Sequence, residues 1–130
     1  MRAVCGVNSV STLVDITHEL EKPNGIILSP DERSLSVGDH NNGSDGLDVD
    51  QNAPPPRKGA MKVYAFPLDK DGLVSGPRRT LVDIGKEAGC DGITADSKGT
   101  VYLTCRRLAQ PGPKVTTPSA RALAFLPTGP

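Results

Sequence analysis

The sequence predicts an all-β fold, a β-propeller represented by about two four-stranded blades. Three observations predict it. The first is composition: 130 residues hold 14 Gly and 12 Pro but only two Tyr, two Phe and no Trp. That load of turn formers argues against a helical bundle or coiled coil and for short elements joined by tight turns. The second is an internal repeat. The third is a series of short β-branched or aromatic runs, each bounded by turn residues.

The repeat has three parts in the same order. Thr12-Leu13-Val14-Asp15-Ile16 returns as Thr80-Leu81-Val82-Asp83-Ile84. Pro23-Asn24-Gly25-Ile26 returns as Cys90-Asp91-Gly92-Ile93. Ser29-Pro30-Asp31 before Leu35-Ser36-Val37 lines up with Asp96-Ser97-Lys98-Gly99 before Val101-Tyr102-Leu103. The offsets run from 66 to 68 residues. Repetition of this kind signals stacked supersecondary units that bury a face only by stacking.

Each unit is built of strands. In the first they are Ile26-Ile27-Leu28, Leu35-Ser36-Val37, Val63-Tyr64-Ala65-Phe66 and Thr80-Leu81-Val82-Asp83-Ile84. Ser29-Pro30-Asp31-Glu32 and Asp69-Lys70-Asp71-Gly72 supply the chemistry of tight antiparallel turns. The second unit repeats the set as Gly92–Ala95, Val101–Thr104, Lys114–Thr116 and Ala122–Leu126. Four strands per unit is the pattern of a propeller blade. Residues 10–16 then read as the outer strand of a preceding blade, 24–84 as one blade and 91–126 as the next. The long first unit is explained by an exposed loop inserted at 43–58, which is rich in Asp, Gly and Pro and lacks apolar periodicity. Two blades leave two open edges, so the sequence predicts a part of a larger ring.

Charge and cysteine usage exclude several functions. Fifteen basic residues balance fifteen acidic ones, which removes the electrostatic case for nucleic acid or an anionic membrane as partner. No apolar run approaches the roughly 20 residues of a membrane span. Cys5, Cys90 and Cys105 form no CxxC pair or metal-finger spacing and suggest no disulfide framework. The first sixteen residues hold no signal-peptide core, so the chain as written is expected in the cytoplasm, or in the periplasm or outside the cell if a true start lies upstream.

These residues together resemble the gluconolactonase/senescence-marker-protein-30 family: Pro23-Asn24-Gly25-Ile26 with Ser29-Pro30-Asp31, then Asp91-Gly92 with Asp96 and Gly99, and a Val-Tyr-Leu strand. The resemblance runs from about residue 10 to 130 and covers about a third of a full-length member. It implies a six-bladed propeller that holds a divalent cation on its axis and hydrolyses a sugar lactone or similar ester. It also implies that Asn24 and Asp91 match the family's metal-binding Asn and Asp, at the start of inner strands in successive blades. Hard oxygen donors of this kind suit Ca²⁺, Mg²⁺, Mn²⁺ or Zn²⁺. The cation would polarise the lactone carbonyl, and Asp91 would orient or deprotonate the attacking water. The family's further ligand, a Glu of the first blade, has no counterpart here, and Cys90 stands where the family has Pro.

The bland reading stays open beside this one, because Asn-Gly and Asp-Gly are favoured turn dipeptides. Asp39 and His40, followed by Asn41-Asn42, are weak candidates for a substrate-pocket rim and otherwise read as a solvated loop. Asp45, Asp48 and Asp50 do not fit the EF-hand spacing. There is no GxSxG motif, and Arg78-Arg79 and Arg106-Arg107 read as solvated charge. Expected partners are a small lactone and either the remaining blades or further copies of the chain. The expected function is a metal-dependent lactonase-type hydrolase, inactive as this piece alone. The alternative is a non-catalytic binding or assembly module.

Overall fold

A computed structural model describes residues 4–7, 13–43, 58–85, 90–105, 112–119 and 121–126. Among them there are ten strands and no helix. β1 (Val4–Val7) and β2 (Leu13–Thr17) form a two-stranded sheet. β3 (Pro23–Leu28), β4 (Ser34–His40), β5 (Met61–Pro67) and β6 (Arg79–Asp83) follow in chain order as a four-stranded sheet. β7 (Cys90–Ala95), β8 (Val101–Cys105), β9 (Gly112–Thr116) and β10 (Ala122–Phe125) form a second one in the same way. All pairings are antiparallel.

Each strand expected from sequence is present, with shifted ends. Ile84 lies just past β6 yet is buried, and Leu126 lies just past β10. One strand was not foreseen: Val4–Val7, a stretch in which Cys5 and Gly6 interrupt the β-branched residues. Asp39 and His40 belong to β4 rather than to a loop. Residues 10–12, the insert residues 44–57 with Asp45, Asp48 and Asp50, and Arg106-Arg107 lie outside the described residues.

The tight turns follow from local polar chemistry. Asp96 Oδ1 accepts the N–H groups of Lys98 and Thr100, both at 2.9 Å, and Gly99 completes the turn at φ +78°. At the matching turn of the first unit Glu32 takes that left-handed conformation, at φ 57°. A side chain with a Cβ is strained there by about 1–2 kcal/mol. Ser29 compensates: its Oγ accepts the Ser34 N–H at 2.9 Å and donates to Asp31 Oδ1 at 2.6 Å.

The β3–β6 sheet is the middle layer. Strand alternation sends Met61, Val63 and Ala65 to one face, where with Leu81 and Ile84 they meet Cys90, Val101, Leu103 and Cys105 of the other four-stranded sheet. The opposite face carries Leu35, Val37 and Phe66 against Val4 and Leu20. Ile26 and Leu28 on β3 remain 47% and 45% exposed, whereas Ile93, the repeat partner of Ile26, packs against the core. Their different burial has a positional cause: β3 covers β7, while β1 and β2 do not extend over β3 in the same way.

Candidate functional site

Asn24 and Asp91 come together, although they lie 67 residues apart: the Asn24 Nδ2 donates to Asp91 Oδ1 at 3.1 Å. The backbone explains how. In the β3–β4 pairing the register shifts between Pro23 and Ile26, and in the β7–β8 pairing it shifts between Cys90 and Gly92. Each shift is a β-bulge, which places an extra residue on one strand and re-aims its side chain. Both bulges fall at the same point of the repeat, on Asn24-Gly25 and on Asp91. These dipeptides therefore sit inside strands, and the hairpin-turn reading does not apply.

Gly25 makes the approach possible. A Cβ there would stand 2.9 Å from the Ile93 backbone N and 3.1 Å from the Asp91 carbonyl O. Only a residue without a side chain lets β3 and β7 pass this close. On the far side of the second bulge the Gly92 N–H donates to Thr104 Oγ1 at 2.8 Å.

Cys90, beside Asp91, is 1% exposed, and its Sγ donates to the Gly92 carbonyl at 3.2 Å. Burial, reinforced by the neighbouring Cys105 and Asp91, pushes its thiol up to about 12. A thiol so protonated is a packing group rather than a thiolate ligand.

Asp39 sits opposite Pro23 in the β3–β4 register and is 2% exposed. Its Oδ2 accepts the Glu21 N–H at 3.0 Å and its Oδ1 the Lys22 N–H at 2.7 Å. Both oxygens thus hold the backbone that leads into Asn24. The His40 N–H is likewise given to the Lys22 carbonyl, at 2.9 Å. Glu21 was missed in the sequence reading: its Oε2 accepts from Asn41 Nδ2 at 2.8 Å and from the Ala60 N–H at 2.9 Å, bracing the segment between β4 and β5. No local motif announces such a role, because its partners are 20 and 39 residues away.

The residues suit a hard divalent cation in kind: a carboxylate and a carboxamide in contact at strand bulges, each carrying an oxygen donor. They are two where such an ion takes six or more oxygens, some from water. Among the described residues no group of three His, Cys, Asp or Glu side chains is arranged to hold a metal. The pair therefore fits as part of a ligand set. Cavities among the described residues lie elsewhere. One of about 280 Å³ is lined by the turns after β3 and β7, and one of about 880 Å³ lies between the β1–β2 sheet and β3.

No protein-family model and no curated protein matches the chain. Solved structures do. A calcium-binding protein, regucalcin, from Agrobacterium tumefaciens superimposes with a TM-score of 0.67 at 18% identity, over 94% of this chain and 35% of that one. A gluconolactonase from Xanthomonas campestris gives 0.69 at 22%, over 97% and 34%. A luciferin-regenerating enzyme gives 0.65 at 14%, over 95% and 34%. The chain has the fold of part of such a protein. The likeness to the gluconolactonase/senescence-marker-protein-30 family read from the sequence is met at the level of the fold, and the chain spans about a third of the length of the structures it matches.

Proposed function

We propose that the chain is part of a metal-dependent hydrolase of the gluconolactonase type, with Asn24 and Asp91 as two ligands of one divalent cation (Ca²⁺, Mg²⁺, Mn²⁺ or Zn²⁺). The observation that carries this is the Asn24–Asp91 contact at matching bulges of two stacked sheets. The fold it shares with a gluconolactonase and with a calcium-binding regucalcin supports the same reading. In it, residues 24–84 with the insert 43–58 form one blade of a six-bladed ring, 91–126 form the next, and 10–16 belong to the blade before. The remaining blades or further copies supply the missing ligands and the pocket wall.

A bound cation supplies polarisation of the lactone carbonyl. Asp91 orients the attacking water with its carboxylate and accepts the proton that the water loses. Asn24 holds that carboxylate through its amide N–H, and its amide oxygen would be the second ligand of the cation. The Asp39–Glu21/Lys22 bonds set where Asn24 stands.

The test uses the assembled protein in which all blades are present. Asp91→Ala should abolish hydrolysis of a sugar lactone and weaken Ca²⁺ binding by calorimetry, with the far-UV spectrum unchanged. Unaltered turnover would remove Asp91 from the chemistry. Cation binding without any lactone turnover in the unmodified protein would favour the non-catalytic binding module.

A further inference from the structure

We propose that Cys90 and Cys105 are a redox pair that closes to a cross-strand disulfide and so locks the bulge that carries Asp91. The two residues are direct partners across β7 and β8. Directly opposed residues in an antiparallel pair have Cα atoms about 4.5 or 5.5 Å apart. A disulfide spans Cα separations of roughly 4.4–6.8 Å, so the Cα atoms of the pair lie within its reach. Both side chains enter the same core cluster and therefore leave the sheet on the same face. Neither thiol is in a disulfide in this structure.

Their place in the repeat sets them apart. The matching pair in the first unit is Pro23 and Asp39, where the Asp39 carboxylate ties the strand start to its approach. In the second unit a covalent bond would do the work of that carboxylate. Its effect would fall on Asp91, the extra residue between the Cys90–Cys105 pair and the next pair, Gly92–Thr104. Opposed Cβ atoms rest about 4.5–5.5 Å apart and a disulfide holds them near about 3.8 Å. Closure therefore tightens the bulge and leaves a mildly strained bond, of the kind that is readily reduced again.

Glutathione disulfide serves as the oxidant. Cys105, the more accessible at 7% exposure against 1%, loses its proton and attacks one glutathione sulfur. The glutathione S–S bond breaks and one glutathione leaves as thiol. The Cys90 sulfur then displaces the second glutathione from the Cys105 sulfur of the mixed disulfide, and the Cys90 proton passes to the departing glutathione. Two protein thiols are oxidised and one glutathione disulfide is reduced to two thiols. Cys90 opens β7 and Cys105 closes β8, so fraying of these strand ends supplies access, and the reaction is as slow as that opening.

Disulfide formation stands on the register alone, and only its consequence for catalysis rests on the proposed metal site. The experiment takes the full chain with Cys5→Ser, which removes the exposed thiol and intermolecular bridging. It is equilibrated in glutathione buffers with and without urea, alkylated and digested with trypsin. The expected product is a linked pair of peptides, Glu87–Lys98 and Gly99–Arg106. It should be half-formed, without urea, at an oxidised-to-reduced ratio at least about tenfold lower than in urea. Amide exchange of Gly92 should slow by about tenfold in the oxidised chain. Absence of the linked peptides at every ratio, or equal midpoints with and without urea, would overturn the pairing. Unchanged Gly92 exchange would overturn the lock. Absence of Ca²⁺ binding by the assembled protein in either redox state would defeat the metal site and leave both results standing.

Discussion

Asp39→Ala probes whether this buried acid is a backbone clamp. The carboxylate receives two N–H groups, from Glu21 at 3.0 Å and Lys22 at 2.7 Å, and its residue is 2% exposed. A hydrogen bond to a carboxylate contributes about 1.5–3 kcal/mol. Glu21 is exposed and Lys22 half-buried, so water recovers part of the loss, and the low end applies to both bonds. Alanine should therefore cost about 3 kcal/mol and asparagine, which keeps one acceptor, about 1.5 kcal/mol. In urea unfolding followed by circular dichroism, with an m-value of about 2 kcal/mol/M, those costs lower the midpoint by about 1.5 M and 0.75 M. A midpoint for Asp39→Ala within about 0.3 M of the parent, at unchanged m, would refute the reasoning. It would mean that solvent serves the two N–H groups and that Asp39 is available for the pocket rim.

Glu32→Gly should stabilise the chain by about 1 kcal/mol, read as a higher urea midpoint, because it removes a Cβ from a left-handed position that Gly99 fills in the other unit. Gly25→Ala should destabilise by about 1–3 kcal/mol in the same assay, since the methyl group meets backbone atoms that have no room to yield. The Asp96 carboxyl is held below its ordinary value, first by the Thr100 N–H and then by Lys98. Its contribution is complete above the unfolded value near about pH 4 and is lost as pH falls through the lower folded value. Thermal melts between pH 5 and 2 should fall more steeply for the parent than for Asp96→Asn; parallel curves would contradict this. Ile26→Ser with Leu28→Ser should weaken self-association about tenfold or more in sedimentation equilibrium, because both side chains stand half-exposed on β3.

The strands were legible where β-branched runs met Gly, Pro or Asp, and the repeat supplied the correspondence of Asn24 with Asp91. What the sequence could not show was register. Whether Asn24-Gly25 makes a turn or a bulge depends on how residues 23–26 pair with 37–39, and that is a property of two strands. The β4 end reads as a loop from sequence because Asp39-His40-Asn41-Asn42 is polar, yet the buried Asp39 carboxylate is there to receive the Glu21 and Lys22 N–H groups. Val4–Val7 is hard to read from sequence because two non-β residues interrupt its two valines. Cys90 and Cys105 looked unrelated at a spacing of fifteen, and only the β7–β8 ladder makes them opposites.

The β4–β5 ladder is unbroken from Ser34↔Pro67 to His40↔Met61, and Asn41 extends it by exchanging N–H groups with the far strand through Ala60 and Gly59, each at 2.9 Å. Residues 41–60 make the connection between these two strands. The ends of that connection are therefore held together by the sheet itself, independent of what lies between them. This makes 44–57 a natural splice point: a reporter domain whose own termini lie close together can be inserted there without pulling on either bulge. Signal from such a graft would report on the sheet from its loop edge, at no expense to the strands that aim Asn24 and Asp91.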